Sequence, residues 1–170
     1  MSLFIASEAL FFIALILSYV YFNHGSPTSK FLDAKKTGIF TLALLLSSIT
    51  LHIAGANLKK GSRKIGWLVF TIILGLVFLF GQGSEYARLL NLNITLSQNI
   101  FGSAFFTLTG FHGLHVCLGL IVLAIMGFMI SSGNYKRVES TAFNSAILYW
   151  HFVDGVWLVV FSVVYLWAVL

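Results

Sequence analysis

The polar positions of this chain gather in a few clusters, and long apolar stretches run between them. Five such stretches stand out, roughly Leu3 to Phe22, Thr37 to Ala56, Ile65 to Gln82, Ile100 to Ile130 and Phe143 to Leu170. The hydrocarbon core of a bilayer, about 30 Å thick, is crossed by about 20 helical residues. The third stretch is the shortest. The fourth and fifth are long enough to tilt or to project beyond the lipid. Backbone in hydrocarbon must bond to itself, and the period-two alternation of barrel strands is missing, so the stretches predict helices. The expectation is an all-α integral membrane protein, with residues 1–170 forming one membrane domain of five transmembrane helices in a bundle. The breaks carry their own signals. His24 to Thr28 has turn chemistry, and Lys59 to Lys64 reads as a tight basic hairpin. Gly83 to Asn99 reads as the longest connection, lying along an interface, and Ser131 to Asn134 closes the fourth helix.

Composition sharpens this picture. Hydrophobic residues make up 59% of the chain and charged ones only 9%, where a soluble domain carries about 25% charged residues. Too little polar surface exists to wrap an apolar core in water. The net charge of +5 would raise nucleic acid as a partner in a soluble protein. Here Lys30, Lys35 and Lys36, then Lys59, Lys60, Arg63 and Lys64, sit in two interhelical segments, where cations meet membrane surface. No polar domain exists to hold a nucleic-acid groove. Loops on the N-terminal side hold six Lys or Arg residues and those on the opposite side four, which predicts the N-terminus inside and the C-terminus outside. The single cysteine, Cys117, excludes a disulfide framework and Cys-rich metal sites and reads as a packing residue. The opening residues lack a positive region, and Glu8 interrupts the first apolar run, so that run reads as a retained span. Trp67, Tyr149, Trp150, Tyr165 and Trp167 read as aromatic anchors near the interfaces.

The informative groups are ionisable residues at membrane depth, which are costly there and usually face protein or a polar cavity. They are Glu8, His52, His112, His115, His151 and Asp154, with Glu85 at the outer end of the third helix. His112 and His115 share a helix face, as do His151 and Asp154, because each pair is separated by three residues. A direct His151–Asp154 contact is expected. Small residues beside His112, namely Thr109, Gly110 and Gly113, predict a close approach of another helix. Several chemistries compete. Haem ligation needs imidazoles from two helices, such as His112 with His151. A di-metal carboxylate site needs Glu-x-x-His, which the chain lacks. A proton or ion pathway of its own fits the intramembrane acids but not the absence of paired broken helices. The plain alternative is that these groups, His52 above all, tie the helices together.

Four segments resemble a known family. Ser103 to Val116, with its Phe111-His112-Gly113-Leu114-His115 core, looks like the signature helix of haem–copper oxidase subunit III. Tyr149 to Trp157 looks like the second signature, on that family's last helix. Ile5 to Phe12 resembles its segment with a buried Glu, and Gln82 to Tyr86 matches a fourth stretch. The segments occur in the family's order and cover essentially the whole chain. The resemblance is to the short five-helix bacterial form; longer members carry further helices ahead of those matched here, with a lipid-filled cleft.

The resemblance implies a non-catalytic subunit of a respiratory terminal oxidase in a bacterial inner or plasma membrane. Haem and copper would lie in partner subunits and none in this chain. Subunit I would be the direct partner, subunit II a further one, and phospholipid would bind. Glu8 would be a polar anchor near proton entry into subunit I, with Glu85 a second buried polar candidate. His112, His115, His151 and Asp154 would form one hydrogen-bonded cluster holding the fourth and fifth helices together. The leading expectation is a cytochrome c oxidase subunit. Its rivals are the same subunit of a quinol oxidase, the similar accessory protein of nitric oxide reductase, and a stand-alone haem-binding or proton-conducting membrane protein.

Overall fold

The computed structural model describes residues 2–22, 32–59, 65–95, 100–132 and 141–166. Five α-helices account for nearly all of them: α1 (Ser2–Phe22), α2 (Ala34–Lys59), α3 (Gly66–Asn91), α4 (Ile100–Ser131) and α5 (Thr141–Phe161). A π-helical turn, Ser162–Leu166, continues α5. All five helices are long and apolar enough to cross a membrane. No strand forms among the described residues.

Cross-helix contacts fix the topology. Thr50 meets Thr71, Tyr86 meets Thr109, Tyr19 meets Phe101, and Trp157 meets Thr41. In each of these pairs a residue early in one helix meets one late in the other, so sequential helices alternate in direction. The result is an up-and-down bundle in which α2 and α3 form the most extensive pair. α5 sits centrally. Trp150 and Trp157 are fully buried, and both indoles reach across to α2, Trp150 Nε1 donating to Ser47 Oγ at 3.0 Å and Trp157 Nε1 to Thr41 Oγ1 at 2.9 Å. α1 is peripheral. It packs mainly on α4 through Phe12 and Tyr19 and turns Leu3, Leu10, Ile13 and Leu17 outward. Such an apolar outer surface, spread over the helices, suits lipid rather than water.

Close approach depends on two glycines that flank Trp150. A Cβ on Gly119 would sit 2.8 Å from Trp150 Cε3, and one on Gly75 would sit 3.1 Å from Trp150 Cη2. Within the described part of this chain no helix approaches closely at Gly110 or Gly113. A Cβ at Gly113 would meet nothing within 4 Å, and one at Gly110 only the Tyr86 hydroxyl at 3.7 Å. Thr109, in contrast, is fully buried.

The third helix runs past the predicted end at Gln82. Gly83 to Asn91 is helical, because Gln82, Glu85 and Leu89 form one buried face that continues the packing stripe. The helix ends in a Schellman motif: Asn93 takes φ 59°, its amide bonds to Leu90 O, and the Ile94 amide bonds to Leu89 O. The expected long connection is therefore mostly helix. Trp150 and Tyr165 are 1% exposed and are core residues rather than interfacial anchors, whereas Trp67 is exposed. Cys117 and His52 face outward rather than into the packing. The turn at His24 to Thr28, residues 60–64 and 133–140, and Trp167 lie outside the described residues.

Candidate functional site

The sequence-predicted polar residues separate into distinct sets, and the single cluster of His112, His115, His151 and Asp154 does not form. The first set joins α1, α4 and α5. His115 Nε2 lies 3.0 Å from Glu8 Oε2, and His115 Nδ1 lies 2.7 Å from the Phe111 carbonyl one turn back. A carbonyl only accepts, so Nδ1 carries a proton. One further proton is then shared between Nε2 and Glu8. It sits either on the carboxyl, which donates to a neutral ring, or on an imidazolium that donates to a carboxylate. Phe12 packs edge-on against the ring at 5.0 Å, and the Tyr149 hydroxyl donates to His115 O at 3.1 Å. Neither partner is sealed off, the side chains of His115 and Glu8 being 10% and 23% exposed.

The second set joins α2 and α5. Ser48 Oγ donates to Asp154 Oδ2 and lies 2.9 Å from His151 Nδ1. With its own proton given to Asp154, the hydroxyl accepts the His151 N–H. The expected direct His151–Asp154 contact is thus replaced by a Ser48 bridge. A helix-face spacing shows which residues share a side, but not which partner helix lies between them.

His112 stands apart from both sets. It is fully buried and stacks on Trp157 at 4.7 Å, with Phe78 and Phe12 edge-on at 5.9 and 6.3 Å, and neither ring nitrogen has a hydrogen-bond partner. His112 packs against Trp157 and Phe78, whereas His151 lies against Ser48. Among the described residues no three His, Cys, Asp or Glu side chains gather as a metal-binding group.

Glu85 lies at the far end of α3, 2% exposed, paired with Arg88 and accepting the Asp33 amide at 3.3 Å. Sequence reasoning missed Ser47, Ser48, Thr41 and Thr50, the hydroxyls that bind α2 to α5 and α3. Their signal was present as a row of Ser and Thr along an otherwise apolar span.

The family profile described as Cytochrome c oxidase subunit III matches residues 1–169. This chain belongs to the cytochrome c oxidase subunit III family. Relatives named cytochrome c oxidase subunit 3 include one from Synechocystis sp., 35% identical over 174 residues that cover 96% of this chain and 72% of the relative. One from Salmo salar is 37% identical, covering 99% of this chain and 68% of the relative. A protein from Mycobacterium leprae named probable cytochrome c oxidase subunit 3 is 34% identical, covering 95% and 83%. Subunit III chains are a non-catalytic part of an oxidoreductase complex that serves respiratory electron transport. In this subunit III, Glu8 with His115 and Ser48 with His151 and Asp154 are the polar assemblies that join ionisable groups from the sequence-predicted set.

Proposed function

We propose that the chain is subunit III of a bacterial cytochrome c oxidase in the plasma membrane, packed directly against the catalytic subunit I in a complex that includes subunit II. In this reading it binds phospholipid, supports proton uptake by subunit I during oxygen reduction, and stabilises the complex. Haem and copper belong to its partners.

The observation that carries this reading is the Glu8–His115 pair. A carboxyl facing an imidazole whose other nitrogen is already committed holds one proton that can sit on either group. Such a pair can pass that proton from one group to the other while Nδ1 keeps its bond to the Phe111 carbonyl. The Lys and Arg bias favours an inner N-terminus, which would put Glu8 in the inner half of the bundle, on the side from which protons are taken up. Support for lipid comes from a groove of about 360 Å³ between α1 and α4, where Leu15, Phe22 and Ile100 meet Ser18, Ser103 and Thr107. Its apolar walls suit an acyl chain. Support for packing against a larger subunit comes from the open Gly110–Gly113 side of α4, where another backbone can approach.

The test is purification of the native complex in mild detergent, with redox difference spectra and donor assays. Haem signals that co-migrate with larger subunits, together with cytochrome c oxidation, are the expected result. Haem bound by the isolated 18.8 kDa chain, or a chain that migrates alone, overturns the reading.

A further inference from the structure

The end of the bundle opposite the Glu8–His115 pair holds a group of buried polar atoms that the proposed function does not use. Tyr19 and Tyr165 are each 1% exposed, Glu85 2% and Gln82 6%. The Tyr19 and Tyr165 hydroxyls, Gln82 Nε2 and Glu85 Oε2 are buried and have no hydrogen-bond partner within the protein. Four unpaired polar atoms in one part of a membrane bundle are unusual, since buried polar groups are almost always bonded.

These groups come from three helices and converge. Tyr165 lies within electrostatic reach of Glu85, Tyr86 and Tyr19, and its hydroxyl faces that of Thr37. Phe101 and Phe105 link the tyrosines, Tyr19 packing on Phe101 at 6.0 Å and Tyr165 on Phe105 at 6.5 Å. Gln82 precedes Glu85 by one turn on the same buried face of α3. Tyr165 lies in the π-helical turn, Ser162–Leu166, that ends the described part of α5.

The chemistry of the set selects its ligand. Gln82 Nε2 is a donor, Glu85 Oε2 an acceptor, and each tyrosine hydroxyl can do either. A cation is disfavoured, because the one acid is already paired with Arg88 and an amide donor faces the same region. An anion is disfavoured by that same carboxylate. A small neutral molecule that both donates and accepts fits the whole set. We propose that Tyr19, Gln82, Glu85 and Tyr165 enclose ordered water, which bridges α1, α3 and α5 at this end of the bundle. Buried water typically makes about three hydrogen bonds to otherwise unsatisfied groups. This inference does not depend on the proton role proposed for Glu8.

Radiolytic hydroxyl labelling of the intact purified complex tests it, because radicals formed from bound water modify the side chains beside it. Tyr19 and Tyr165 should label an order of magnitude faster than Phe78, which is also 1% exposed but stands among rings. In a complex carrying Tyr165→Phe, labelling of Tyr19 should fall as the bridge loses an anchor. A high-resolution cryo-EM map should show density within hydrogen-bonding distance of the Tyr165 hydroxyl. Labelling of both tyrosines as slow as that of Phe78 overturns the proposal. So does a map in which the four groups bond directly to one another with nothing between them; the map also decides the matter if Tyr165→Phe fails to assemble.

Discussion

Glu8 and Ser48 each hold a neighbouring imidazole, but the two contacts differ in what a substitution removes. Gln at position 8 can still donate to His115 Nε2, so Glu8→Gln keeps the link between α1 and α4 yet cannot exchange a proton. The expected result is a normal initial rate of oxygen reduction, then slower proton uptake or an earlier loss of activity in prolonged turnover, followed with an oxygen electrode and a pH indicator. Glu8→Ala also loses the hydrogen bond, worth about 0.5–1.5 kcal/mol, and should lower the melting temperature where Gln does not. Equal behaviour of wild type and Glu8→Gln through long turnover would remove the proton role. Ser48→Ala strips His151 Nδ1 and Asp154 Oδ2 of their shared partner, and Asp154 Oδ1 already has none. Buried groups left unsatisfied cost about 1–3 kcal/mol each, so Ser48→Ala should destabilise the chain more than Ser18→Ala at the α1–α4 groove. Thermal unfolding in detergent measures both. Glu8 stood out in the sequence as a lone carboxyl in an apolar run. Ser48 did not, because a serine in a membrane helix is common and nothing local marks the one that bridges a His to an Asp.

At the scale of elements, α5 is the hub, and its two tryptophans decide which glycines matter. Alanine in place of glycine gains about 1 kcal/mol of helix propensity, whereas overpacking a filled site costs about 1–3 kcal/mol. At Gly119 the new methyl would lie 2.8–2.9 Å from the Trp150 ring, and that ring is held by its bond to Ser47. Gly119→Ala should therefore be net destabilising, with an altered Trp fluorescence. At Gly113 nothing lies within 4 Å, and Gly113→Ala should leave the detergent-solubilised chain as stable as before or slightly more so. A reversed order of these two variants in thermal unfolding would contradict the placement of α4. The length of α3 is also an element-scale result. Gln82, Ser84, Glu85 and Arg88 made its end look like a loop, but Leu89 and Ile94 are buried on either side of the Schellman cap and hold the last turns in place.

For the whole molecule, alternating helix directions put the N-terminus and the loops after α2 and α4 on one side, and the other loops and the C-terminus on the opposite side. The Lys and Arg bias of six to four favours the first side as the cytoplasmic one. Alkaline phosphatase fused after residue 170 should be active, and the same enzyme inserted at residues 61–64 should be inactive; the opposite pattern would invert the orientation and remove Glu8 from the proton-uptake side. The peripheral place of α1 gives this arrangement a consequence. α1 is held by few buried residues, so the Glu8–His115 contact contributes more to its docking than a comparable bond would in the central helices.

Hydropathy, charge and spacing settled, without coordinates, that this chain spans a membrane with five helices, because lipid forces every buried backbone group into a local hydrogen bond and so makes each span readable from its own residues. The motif order pointed to the family for the same local reason. Which polar groups meet was decided only in three dimensions. His112 and His115 share a face, yet one stacks on Trp157 and the other bonds to Glu8. His151 and Asp154 share a face, yet Ser48 of another helix joins them. A helical period fixes the direction a side chain takes from its own axis, and the partner it finds there depends on how the other helices pack.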